Sequence, residues 1–175
     1  NLWDYSDKAH PVPRDEGHLA DDIARHLKRD LQGRGIAIGC ELVVRRGGKG
    51  RAPGLRTDIY VTAIVASSRG RDQTDGELAT VVIEVKGSWH DEVDSAIRTQ
   101  LVEGYMREYA DSRHGLYVVG DFTCDAWAET EGKKRSLRLG GREALAHRLE
   151  AQAVELSRDG IRVRAVVLDT SMPAT

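Results

Sequence analysis

The stretch Thr80 to Trp89, TVVIEVKGSW, ends an apolar run with a carboxylate and an ammonium two residues apart. Alternation along a β-strand puts Glu84 and Lys86 on one face, beside Thr80 and Val82. A partly buried charge is costly unless something pairs with it or uses it. Upstream, RTDIYV places Asp58 at the opening of a second apolar segment that could pair with Thr80 to Lys86. Asp58 and Glu84 on adjacent strands would supply the one or two carboxylates that usually hold Mg2+, with waters and substrate phosphates filling its shell. Lys86, one pleat further, could orient or deprotonate a water and offset charge on a phosphorus transition state. A plain cross-strand salt bridge accounts for the same residues equally well.

The tripeptide alone is weak evidence, and the chain holds a second match, Glu131-Gly-Lys133. That one lies in a polar stretch, ETEGKKR, with no strand around it and reads as chance. Glu84-Val85-Lys86 follows VVI, so context separates the two.

The elements that would position these residues follow from periodicity. Leu19, Ile23, Leu27 and Leu31 recur every four residues from Asp15 onward, which predicts a helix stopped by Gly33 and Gly35. At about 100° per residue the centre of that stripe falls near the direction of Glu16, which should therefore point toward the sheet. The macrodipole alone also favours a glutamate in a first turn. Asp21 and Asp22 fall off the stripe and should be solvated. Strands are expected over residues 36–46, 57–66 and 78–86, then a helix over 90–111 with a ridge of Val93, Ile97, Leu101 and Tyr105. A strand over 114–122, a helix over 142–157 and a strand over 161–169 complete an α/β order with a mixed sheet flanked by helices.

Composition bounds the reading. A chain of 175 residues, 40% apolar and 31% charged, makes one globular domain of ordinary size. No apolar run approaches the roughly 18 residues of a membrane span, so no membrane partner is expected. The start at Asn1 rather than Met suggests an excised or processed portion of a longer protein. Cys40 and Cys124 show no metal-ligand spacing, which favours a reducing, cytoplasmic setting. Net charge is −2, so the whole molecule carries no electrostatic signature for nucleic acid. Two Gly-containing stretches do concentrate cations: Arg45, Arg46, Lys49, Arg51 and Arg56, and again Lys133 to Arg142. Either could meet phosphates or simply be a solvated loop. GGKG at Gly47 to Gly50 is no P-loop, lacking the long glycine spacing and the Ser/Thr after lysine.

Asp58 followed by Glu84-Val85-Lys86, on consecutive strands after an N-terminal helix, resembles the PD-(D/E)xK nuclease superfamily, whose fold is restriction-endonuclease-like. The resemblance covers most of the chain. From Asp15 to Phe122 the order αβββαβ is similar to the family core, although Thr57 stands where the family has a proline. The last helix and strand look like a C-terminal αβ extension of some bacterial members, including domains attached to larger defence-type proteins. The resemblance implies a lead-in over residues 1–14 and a single domain over 15–175. It implies a phosphodiesterase using Mg2+ (or Mn2+) on DNA, with RNA as a further substrate class, in antiviral defence. Asp58 and Glu84 would bind the metal, Lys86 would position the water, and Arg45, Arg46, Lys49, Arg51 and Arg56 would grip the backbone. Some members carry a glutamine followed by a tyrosine near the metal; Gln100 occupies that helix, with Tyr105 five residues on rather than four. Others add a glutamate from the first helix as a metal ligand, which is the place of Glu16. Cutting both strands of a duplex with one site per chain favours a homodimer, or attachment to a larger chain. The alternative is a non-catalytic nucleic-acid-binding or partner-docking module with the same fold.

Overall fold

The computed structural model describes residues 2–6, 11–45, 55–65, 77–107, 112–123, 127, 132–136 and 140–172. Arg46, Lys49 and Arg51 lie outside the described residues, as do Cys124 and Glu131 of the second Glu-x-Lys match. Arg45 and Arg56 stand at the end of a strand pair where the chain passes from one strand to the next, at register positions next to that stretch.

Two short strands, β1 (Trp3–Asp4) and β2 (Val12–Pro13), pair antiparallel ahead of the first helix, α1 (Glu16–Asp30). Asp15 caps α1 by accepting the His18 N–H, at 3.1 Å, so the helix starts where its capping residue stands. Gly33 and Gly35 take positive φ values of 77° and 68°, which turns the chain sharply into the sheet.

The sheet has five strands in sequence order: β3 (Ile36–Arg45), β4 (Leu55–Val65), β5 (Glu77–Gly87), β6 (His114–Asp121) and β7 (Arg162–Asp169). The first three run antiparallel; β5, β6 and β7 run parallel. Parallel neighbours need crossovers, supplied by helical segments between β5 and β6 and between β6 and β7. The architecture is therefore mixed α/β, a five-stranded mixed sheet flanked by helices.

The segment between β5 and β6 departs from the expected long helix over 90–111. Turns occupy residues 91–95, and a π-helix follows from Ile97 to Met106. Its wide turns show at the end, where Arg107 N–H reaches the carbonyl of Val102, five residues back. At its start the Ser95 and Thr99 hydroxyls donate to Glu92 O and Ser95 O, carbonyls that also accept the Ala96 and Thr99 N–H groups at 2.8 and 2.9 Å. The apolar ridge still does its work, with Val93, Ile97, Leu101 and Tyr105 all buried. Between β6 and β7 lie a short helix α2 (Gly132–Ser136) and a longer α3 (Gly141–Leu156). The sequence reading gave no helix to α2, because its five residues, GKKRS, carry no apolar period.

Alternation divides the core between the two faces. Val82, Tyr117 and Val119 pack under the π-helix and α3, with Leu101 and Leu149. Ile83, Val85 and Val118 pack under α1 with Leu19 and Ala24 and an aromatic group of Trp3, Trp89, Phe122 and Trp127. Each fully buried aliphatic side chain of this kind contributes roughly 1.5–3 kcal/mol. Trp3 donates to Thr170 O at 2.8 Å, so residues read as a lead-in are stitched to the far end of the chain. Among the described residues no helix is long and apolar enough to cross a membrane.

Candidate active site

The β4–β5 ladder ends at the pair Ile59↔Ile83. One residue further on β4, Asp58 sends its carboxylate to the Val85 N–H, at 2.8 Å. Two residues further along β5, the Gly87 N–H is met by Glu16 Oε1 at 2.9 Å. N–H groups of alternate residues share an edge of a strand, so two carboxylates finish the ladder where main-chain pairing stops. Glu16 thus points at the sheet, as the stripe on α1 predicts. Among the other acids on that helix, Asp21 is exposed and Asp22 is half-buried, paired with Arg25.

Glu84 and Lys86 share the face that β5 turns to the π-helix, because they alternate with Ile83 and Val85. Lys86 Nζ donates to Glu84 Oε1 at 2.7 Å and lies 3.7 Å from Glu16 Oε2. Glu84 is 1% exposed and Lys86 8%. Glu84 neighbours Tyr117 on β6, whose hydroxyl is committed to Val93 O at 2.8 Å.

Three carboxylates therefore surround one ammonium in a largely dry place, and the electrostatics follow from that imbalance. Burial, then the charge of Asp58, pushes the Glu84 carboxyl up to about 8, against the opposing pull of Lys86. Burial also raises Asp58, partly offset by the Val85 N–H and by Lys86. Burial pulls Lys86 down, but Glu84, Glu16 and Asp58 together outweigh it and hold its ammonium above the usual value. Glu84 Oε2 is buried without a hydrogen-bond partner. The Tyr105 hydroxyl is near enough to favour the Glu84 anion slightly, yet no bond of normal length and angle reaches that oxygen.

Tyr105 belongs to these surroundings, which its sequence spacing obscured. It is buried, and burial followed by the charges of Glu84 and Asp58 holds its proton well above the usual phenol range. Gln100 is placed otherwise: its amide donates to Glu92 Oε2 at 2.7 Å, and no hydrogen bond joins it to the four-residue cluster. Trp89 and Trp127 are core residues.

Among the described residues, no three carboxylate, imidazole or thiolate groups are arranged as a preformed metal cage. Asp58 and Glu16 instead each give an oxygen to the backbone. The donor chemistry still fits a hard divalent cation. Every candidate ligand is a carboxylate oxygen, one of them buried and unpartnered, and Mg2+ takes one or two such groups with waters rather than an all-protein cage. Comparison of the chain with protein-family models gives no match, and no curated protein matches it.

Proposed function

We propose that the chain is a metal-dependent nuclease domain that hydrolyses phosphodiester bonds of DNA, with RNA as a second substrate class. The observation that carries the reading is the meeting of Glu16, Asp58 and Glu84 around Lys86. Buried carboxylates in excess of the available ammonium, with raised pKa values, are a recurrent mark of sites that use charge. This constellation is also the one by which the sequence resembles the PD-(D/E)xK superfamily, and the mixed sheet is compatible with a restriction-endonuclease-like core.

In this reading Asp58 and Glu84 hold Mg2+ or Mn2+. When bound, the cation polarises the phosphate and lowers the pKa of a water. Lys86, anchored by Glu84, offers its remaining N–H donors to a water or to a phosphoryl oxygen as negative charge develops there. Glu16 keeps the Gly87 backbone in place and holds the ammonium from its other side. Tyr105 and the apolar wall beneath Glu84 keep bulk water away from the carboxylates, which strengthens every electrostatic interaction in the site. Arg45, Arg46, Lys49, Arg51 and Arg56 supply backbone contacts.

A second reading has an observation of its own. Two of the three carboxylates finish the hydrogen bonding of β5, and Lys86 donates to the third, as expected of a non-catalytic module that binds nucleic acid or docks a partner. The two readings separate in one experiment. Plasmid, linear duplex, single-stranded DNA and RNA are incubated with the protein in Mn2+, in Mg2+ and in EDTA. Metal-dependent cleavage that disappears in Asp58→Asn supports the nuclease. Binding in EDTA without cleavage in either metal supports the module.

A further inference from the structure

Lys133 lies in one of the two cation-rich stretches that could meet phosphate, yet its ammonium is turned inward. It donates to Pro13 O at 2.7 Å and reaches Arg14 O at 3.4 Å, across some 120 residues of chain. It also lies 4.9 Å from the centroid of the Trp89 ring, a cation–π distance. Both carbonyls belong to the two residues just before Asp15, the cap of α1. Glu16, the first residue of that helix, is the one that bonds Gly87 and approaches Lys86. Trp89 comes from the other direction, two residues after Gly87, and packs edge-on against Phe122 with centroids 4.6 Å apart. One ammonium therefore ties the entry of α1 to the segment that leaves the Glu84–Lys86 strand. Its neighbour Lys134 donates instead to Trp127 O at 3.0 Å rather than to the carbonyls before Asp15.

We propose that Lys133 is a positioning residue, which fixes the entry of α1 and so the reach of Glu16 to Gly87 and Lys86, and is not a phosphate contact. Its effect on turnover rests on the nuclease reading; its effect on Glu16 does not. The geometry gives it leverage, because a shift at the helix cap moves Glu16 directly, whereas Asp58 and Glu84 are held by their own strands. A phosphate contact at the same position would lower affinity and salt dependence without disturbing the Gly87 hydrogen bond.

The test compares Lys133→Met, Lys133→Gln and Lys133→Arg with Lys134→Met, which removes the same charge one residue away. Amide exchange at Gly87 is followed by NMR, with Ile83 in the same strand as the reference for intact folding. Loss of a charge-assisted anchor should speed Gly87 exchange by about tenfold or more in Lys133→Met and Lys133→Gln. Lys133→Arg should restore most of the protection, and Lys134→Met should leave Gly87 unchanged. In cleavage assays the same two variants should lose kcat at unchanged KM, with the salt dependence of binding unaltered. Unchanged Gly87 exchange in either folded variant would overturn the proposal. So would a reduced salt slope with unchanged kcat, the signature of a phosphate contact. If the parent protein cleaves nothing, the nuclease reading falls, and Gly87 exchange still decides the role of Lys133.

Discussion

With Lys86 at 2.7 Å, Glu84 still holds its proton up to about pH 8, because burial and the neighbouring Asp58 charge outweigh the ammonium. The consequence for stability has a definite sign. An unfolded glutamate ionises near 4.5, whereas the folded one does so near 8, so between those values the native state binds more protons than the unfolded state. The contribution of Glu84 to stability is thus fully present below pH 4.5 and is lost as pH rises toward 8. Glu84→Gln should flatten this part of the pH profile, with urea midpoints at pH 5 and pH 8 drawn closer together than in the parent. An unchanged profile would mean that Glu84 ionises normally. Metal should act in the opposite sense, since a cation must displace the proton and binds more tightly as pH rises. Activity tests the same residues from another side. On the nuclease reading, Glu84→Ala would remove a metal ligand and Lys86→Ala charge stabilisation on the order of a few kcal/mol, so each should cost at least 100-fold in kcat. Cleavage by Lys86→Ala at the parental rate would leave that lysine with a purely structural task.

At the scale of elements, the end of β5 depends on a residue without a side chain. A Cβ on Gly87 would stand 2.5 Å from Trp89 Cζ2 and 2.6 Å from two further ring atoms. Trp89 is wedged against Phe122 and has little freedom to retreat. Gly87→Ala should therefore destabilise the protein by about 1–3 kcal/mol, the usual cost of overpacking, read as a lower urea midpoint. It should also weaken the Glu16 hydrogen bond, so a stable, unperturbed Gly87→Ala protein would contradict the packing described above. The strands were legible because alternation and β-branched runs are properties of local sequence, and α1 because its period, cap and terminal glycines agree. The convergence of Asp58, Glu84 and Lys86 was legible for the same reason, since neighbouring strands carry them at matching ends. The π-helix was not legible. A four-residue apolar ridge suits wide and normal turns alike, so the period of the sequence does not choose between them. Tyr105 was hidden as well, because its spacing is read against Gln100, and Gln100 bonds Glu92 rather than the cluster that Tyr105 borders. The inward turn of Lys133 was invisible because its acceptors are main-chain carbonyls distant in sequence.

The whole molecule sets the terms on which a polyanion can approach. A net charge of −2 gives no long-range attraction to nucleic acid, and the Glu16–Asp58–Glu84 cluster would repel a phosphate until cations are nearby. On the nuclease reading, binding must then rest on a local patch of positive charge, for which the cation-rich run from Arg45 to Arg56 is the proposed source. Arg56 stands two residues before Asp58 on β4, and Arg45 closes the partner strand β3 opposite Leu55. A strand advances about 3.3 Å per residue, so Arg56 stands about 7 Å along β4 from Asp58. Affinity carried by such contacts comes from counterion release and should fall steeply between 50 and 200 mM salt, with a log–log slope near −0.9 per phosphate contacted on duplex DNA. Reversing Arg45, Arg46, Lys49, Arg51 or Arg56 to Glu one at a time should weaken binding uniformly across sequences and lower that slope by about one wherever the residue touches a phosphate. The measurement is a salt titration of a fluorescent duplex in EDTA, which holds the protein in its metal-free state and keeps cleavage out of the signal. A slope unchanged by all five reversals would exclude this run as the backbone grip. The second cation-rich stretch, Lys133 to Arg142, would then be next to test, through Arg138 rather than through Lys133, whose ammonium is already engaged.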